Sequence, residues 1–132
     1  MRVWFALSLA CLLFGAPAQA KTPLVFEITC DAAREVVDEM AKGLPADVDA
    51  VTKTTAVRAD CDGKRVDIAR SVELKQSRME KDFRDYLQKQ DDDFACGTKA
   101  LRRLIDGGWR VAVTYVFTDG DPVVTTPACD NA

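Results

Sequence analysis

The chain has 132 residues, 18 of them basic and 21 acidic, and it contains no histidine. The missing imidazole removes the commonest general base near neutral pH and the commonest metal ligand, and it excludes a Ser–His or Cys–His nucleophile pair. The charges are interspersed and form no basic face, so the electrostatic attraction that drives nucleic-acid binding is missing too.

Residues 1–20 read MRVWFALSLACLLFGAPAQA. One basic residue, Arg2, precedes an apolar run from Val3 to Phe14, and Ala18-Gln19-Ala20 supplies the small residues of a cleavage site. This predicts a secretory signal cut after Ala20. The run is too short to span a bilayer stably, and Cys11 lies inside it in a poor lipobox context, so Cys11 leaves with the signal. Residues 21–132 are then expected to form one domain with a modest core. Without Arg2 the basic count is 18 − 1 = 17 against 21 acids, a net charge of −4. No second apolar stretch is long enough to cross a membrane, so integral membrane association is not expected.

Four cysteines remain: Cys30, Cys61, Cys96 and Cys129. An even number in a small exported chain reads as two disulfides. Their spacings of 31, 35 and 33 contain no C-x₂₋₄-C knuckle for zinc, and there is no redox C-x-x-C. No metal and no cofactor is expected. Three pairings are possible. A length estimate favours Cys61–Cys96 with Cys30–Cys129, because a helix over residues 77–95 returns the chain by about 28 Å at about 1.5 Å per residue.

In chain order, Ala33, Val36, Val37, Met40 and Ala41 recur at helical spacing, which predicts a helix over 32–42 with Asp31 capping its first turn. Strands near 50–60 and 65–74 follow, joined at Asp62-Gly63 by a two-residue loop. That loop fixes a register. It sets Cys61 opposite Lys64, Ala59 opposite Val66, Val57 opposite Ile68, Thr55 opposite Arg70 and Val51 opposite Leu74. The other face pairs Asp60 with Arg65 and Arg58 with Asp67, two opposite-charge contacts that a one-residue slip would destroy. Arg70 alone breaks the apolar face and reads as a snorkelling or ion-paired side chain rather than a ligand anchor.

Ser77 and Glu80 then form a capping box before a helix carrying Met79, Phe83, Tyr86, Leu87 and Phe94. Asp91-Asp92-Asp93 reads as a solvated charge run at which that helix frays or ends, because the dipole disfavours it. A short helix over 99–106 turns Leu101, Leu104 and Ile105 inward and stops at Gly107-Gly108. Alternation over Trp109–Phe117 predicts a strand, and Asp119-Gly120 turns it into a last strand that Pro122 and Pro127 mark as an edge or a short one. The fold class expected is α+β: a four-stranded antiparallel sheet of two hairpins with about three helices on one face, in the order α-β-β-α-α-β-β.

Two stretches resemble a family of small exported proteins of Gram-negative bacteria with no assigned activity. LPADVDAVT fits LPxxVDxxT through Leu44, Pro45, Val48, Asp49 and Thr52. FACGTKALRRLIDGGWRVAVTYVFTDGDPVVTTPAC resembles that family's tail of Cys, short helix ending in Gly, YxY-type strand, Asp-Gly turn and Cys. The resemblance implies Cys96–Cys129 and so leaves Cys30–Cys61. It implies export to the periplasm or beyond, and it brings no chemistry.

The residues themselves assign no catalytic role. Asp119 with Asp121 and Asp60 with Asp62 are the carboxylate pairs to consider, but both sit where hairpin turns call for Asp. No role is assigned to Asp49, Thr52 or Arg70 beyond structure. The function expected is a non-catalytic envelope protein, not an enzyme, that binds another protein or peptide as an inhibitor, immunity, chaperone-like or accessory factor; the alternative is a carboxylate-dependent hydrolase of a wall or sugar polymer. Intact-mass analysis of the exported form is expected to show a chain beginning at Lys21; a mass that retains Cys11 contradicts the cleavage site.

Overall fold

In the computed structural model, which describes residues 27–129, the first regular element is the helix α1, Cys30–Ala41. The signal segment and its cleavage site lie outside the described residues. Thr29 caps α1, its hydroxyl accepting from the Ala32 amide at 3.2 Å. Asp31, expected as the cap, instead sits in the first turn, where a carboxylate suits the positive end of the dipole. Ala33 and Val37 point into the core.

The sheet is the main correction to the sequence reading. It has five strands and is mixed: β1 (Ala46–Asp47), β2 (Thr52–Asp60), β3 (Arg65–Val72), β4 (Arg110–Val116) and β5 (Val123–Thr125), in that spatial order. The β2–β3 and β4–β5 pairs are antiparallel, as two hairpins require, but β3 and β4 run parallel. The reason lies in the connection. After β3 the chain passes through a short 3₁₀ turn (Gln76–Arg78), α2 (Phe83–Gly97) and α3 (Lys99–Asp106). These return it to the end where β3 began, and the Arg110 amide donates to the Lys64 carbonyl at 2.9 Å. A helical crossover that ends where the previous strand started gives a parallel neighbour. The extra strand, β1, is two residues from the LPADVDAVT stretch pairing with Lys53 and Thr54.

The β2–β3 register holds from the turn through Val57 opposite Ile68, with Asp60 opposite and paired to Arg65; Arg58 stands opposite Asp67, but the Asp67 carboxylate bonds Arg65 instead. Beyond that a bulge between Thr54 and Ala56 moves it by one, so Arg70 faces Thr54 rather than Thr55 and Thr52 faces Val72. At the turn the positive φ falls on Lys64 (47°), not on Gly63. The Asp60 carboxylate accepts from the Gly63 amide at 3.2 Å and supports this geometry. At the second Asp-Gly the glycine does carry the positive φ, 79° at Gly120.

Two further expectations change at α2. Ser77 starts no helix; its hydroxyl donates to Asp119 at 2.8 Å across the molecule, and α2 begins at Phe83. Nor does α2 fray at the aspartates. It continues to Gly97, and Asp91 is fully buried. Asp92 accepts from the Ala128 amide at 2.9 Å, while Gln88 exchanges hydrogen bonds with the Thr126 backbone. Disulfides join Cys30 to Cys61, tying α1 to the hairpin tip, and Cys96 to Cys129, tying α2 to the tail. The length-based pairing does not occur.

The helices cover one face of the sheet, where Val66, Ile68, Val111 and Val113 meet Leu101 and Leu104 of α3, all at most 1% exposed. On the opposite face, Lys53, Arg58 and Arg110 are exposed. Arg70 belongs to the covered face and is 4% exposed. Its guanidinium donates to Asp91 at 3.0 Å and to the Tyr115 hydroxyl at 2.8 Å. Tyr115 donates to Asp91 at 2.8 Å, and Thr125 closes on the other carboxylate oxygen. Removing one partner of such a pair strands a buried charge and costs about 3–5 kcal/mol. Urea denaturation of Asp91→Ala is expected to show a loss of that order, and Asp93→Ala, at an exposed neighbour, a change within about 0.5 kcal/mol.

Candidate functional site

The helices α1 and α3 touch, yet their side chains do not fill all the space between them. Between α1 and α3 runs a groove of about 560 Å³. Its floor is apolar: Ile28, Ala32, Val36 and Met40 from the α1 side, Ala100 and Leu104 from α3. Val36 and Met40 belong to the helical stripe read from sequence as core. Only part of the stripe is fully covered: Ala33 and Val37 are buried while Val36 and Met40 are half-buried. The groove lips are charged, with Glu35 and Glu39 on α1 and Arg103 on α3. The Trp109 indole fixes the Ile28 end of the groove by donating to the Ile28 carbonyl at 2.9 Å. Sequence periodicity offered the stripe as the only signal for this site.

The residues singled out from sequence lie elsewhere. Asp49 folds the β1–β2 turn, its carboxylate accepting from the Val51 and Thr52 amides at 2.9 and 2.8 Å. Thr52 is buried on β2, and the Thr52 carbonyl receives the Val48 amide at 2.9 Å. Arg70 is locked in the buried polar cluster, stacked 5.0 Å from the Phe94 ring centroid. It is ion-paired, one of the two roles the sequence reading gave it.

One member of each carboxylate pair, Asp60 and Asp119, is held by hydrogen bonds at its turn. Asp60 accepts from Gly63 and lies 3.3 Å from Arg65. Asp119 accepts from the Ser77 hydroxyl and amide, and the Ser77 hydrogen bond holds its pKa below the ordinary carboxylate value. This arrangement is turn chemistry at the surface; the two pairs share no cavity. Among the described residues no group of three or more Cys, Asp or Glu is placed to hold a metal ion. A smaller cavity of about 110 Å³ lies beside the β1–β2 turn, walled by Val51, Leu74, Met79, Tyr86 and Phe117.

Burial raises the Tyr115 phenol well above its ordinary value of 10.0, the Arg70 charge opposing that rise. A group whose folded pKa lies above its unfolded one contributes stability that is complete below the unfolded pKa. For Tyr115 that contribution is lost as pH climbs past about 10. An alkaline absorbance titration is therefore expected to show a late phenol step that coincides with unfolding. In Tyr115→Phe this late step disappears; an early step removed by that substitution contradicts the burial argument.

No family model and no curated protein matches the chain. Two solved structures share its fold. One is a Pseudomonas aeruginosa protein inferred to be secreted, with a TM-score of 0.60 at 18% identity, covering 74% of this chain and 86% of that one. The other is EpsS, a type 2 secretion system pilotin from Vibrio vulnificus, with a TM-score of 0.56 at 14% identity, covering 74% and 84%.

Proposed function

We propose that this protein is a non-catalytic accessory protein of the Gram-negative cell envelope, exported with residues 1–20 removed, and that it holds an apolar segment of another envelope protein in the α1–α3 groove. The observation that carries this reading is the groove itself, an open apolar trough with charged lips. Apolar patches rimmed by polar residues on small domains mark interaction surfaces. Of the two fold relatives, one is described as secreted and the other is named a pilotin of a type 2 secretion system. The two disulfides suit that compartment.

The walls also limit the occupant's shape. Both are helices, whose backbone groups are spent internally, so they offer side chains but no ladder of backbone partners. An extended segment would leave its own N–H and C=O groups unpaired against the apolar floor; a helix satisfies them itself. The occupant is therefore a helix with an apolar stripe. No specific observation favours the hydrolase alternative: Asp60 is engaged with the Gly63 amide and Asp119 with Ser77, and the candidate pairs share no cavity.

Site-specific photo-crosslinking in the native envelope tests the reading. A benzophenone at Val36 is expected to capture a defined protein, and the same group at Thr55 on the uncovered side of the hairpin to capture none. Val36→Asp, verified as folded, is expected to weaken that capture about tenfold. Equal capture from both positions, or a turnover abolished by Asp119→Asn or Asp62→Asn in a folded protein, overturns it.

A further inference from the structure

The two lips of the groove carry opposite charge. With its cap Lys42, α1 contains four acids (Asp31, Glu35, Asp38, Glu39) against two bases, whereas α3 contains three bases (Lys99, Arg102, Arg103) against Asp106. The side chains at the groove itself repeat this polarity. Glu35 and Glu39 stand one turn apart on the α1 lip, and Arg103 stands on the α3 lip. Glu39 is shared with Lys42 at 2.8 Å, an exposed pair that screens it only in part. Glu35 and Arg103 have no ion pair among the described residues, and they do not bridge the groove to each other. A Glu and an Arg facing one another across an open apolar trough are placed to meet the flanks of whatever fills it.

We infer that this charge polarity selects and orients the occupant: a helix whose apolar stripe is bordered by basic residues along one flank and acidic residues along the other, with the basic flank against α1 and the acidic flank against α3. The inference rests on the groove reading above. A helix can lay its stripe into a straight groove in two directions, related by a half-turn about the groove normal. That half-turn exchanges the flanks. For a partner with one basic and one acidic flank, one direction sets Lys or Arg against Glu35 and Glu39 and an acid against Arg103. The reverse direction sets like charges together on both lips. Apolar contacts are nearly the same in both, so the lip charges decide the direction. Exposed charge contacts are individually weak and screened by salt, so the expected bias is about tenfold at low ionic strength and fades as salt is raised.

Three synthetic helical peptides of about five turns test this with the full exported chain. All share one leucine stripe. One has Lys and Glu flanks, the second has those flanks exchanged, and the third has Gln on both. Each carries a benzophenone at its N-terminus, and crosslinks are mapped by mass spectrometry to the Ile28 end or the Met40 end of the groove. The first two peptides are expected to crosslink at opposite ends, and the Gln peptide at both. In the charge-reversed variant Glu35→Lys with Glu39→Lys and Arg103→Glu, exposed positions at which the fold is kept, the two ends are expected to exchange. If all three peptides bind and their crosslinks show no directional bias, the polarity inference is overturned while the groove reading stands. If none binds the wild-type chain, the groove reading fails and the inference with it.

Discussion

Asp91 brings a carboxylate with no solvent exposure into the middle of an otherwise apolar layer, and three elements of the sheet converge on it. Arg70 comes from β3, Tyr115 from β4 and Thr125 from β5, and each donates to its carboxylate, Tyr115 lying within reach of both oxygens. Buried ion pairs add little net stability, because desolvation offsets their attraction. What this one supplies is position. The guanidinium must meet both the carboxylate and the phenol, so β3 cannot slide against β4, and α2 cannot rotate over the sheet, without leaving a charge unpaired. The bulge at Thr54 serves the same cluster, since it sets Thr54 opposite Arg70 and lets its hydroxyl accept from the guanidinium at 3.3 Å.

The same helix holds the tail. Gln88, Asp91, Asp92 and Cys96 follow one another along α2 at helical intervals and engage Thr126, Thr125, Ala128 and Cys129 in turn. An extended segment thus lies along a helix through side chains that replace the ladder a neighbouring strand would give. β5 is only three residues long and ends near a proline, so the sheet alone holds it poorly. This accounts for three consecutive aspartates near a helix C-terminus, where the dipole disfavours them. Two of the three are committed to the tail and the core, and the contacts they make outweigh the unfavourable end of the helix.

With α2 occupied by the tail, the other two helices shape the free surface. Cys30–Cys61 fixes the start of α1 to the β2–β3 tip, and the Trp109 indole fixes the Ile28 carbonyl beside the end of α3. Held at these points, α1 and α3 leave an apolar trough that neither side chain set fills. On the uncovered sheet face, by contrast, Arg65 and Asp67 bond to one another at 2.6 Å.

Local patterns in the chain determined the pieces whose partners are near in sequence. The β2–β3 hairpin was legible because a short turn, a two-residue alternation and two cross-strand charge pairs agree within about twenty residues. The spans of α1 and α3 followed from apolar spacing and from the glycines after them. The parallel β3–β4 pair was not legible, since it depends on where a crossover of more than thirty residues sets the chain down. Asp91 looked solvated because its neighbours in sequence are charged, whereas its neighbours in space, Arg70, Tyr115 and Thr125, are 21 to 34 residues away. The groove shows the same division. Periodicity put Val36 and Met40 on an apolar stripe, but only the packing of α1 beside α3 decided that part of that stripe stays open. Short-range sterics and burial preferences are written into each segment, while the width of a gap between two segments is set by everything else that holds them in place.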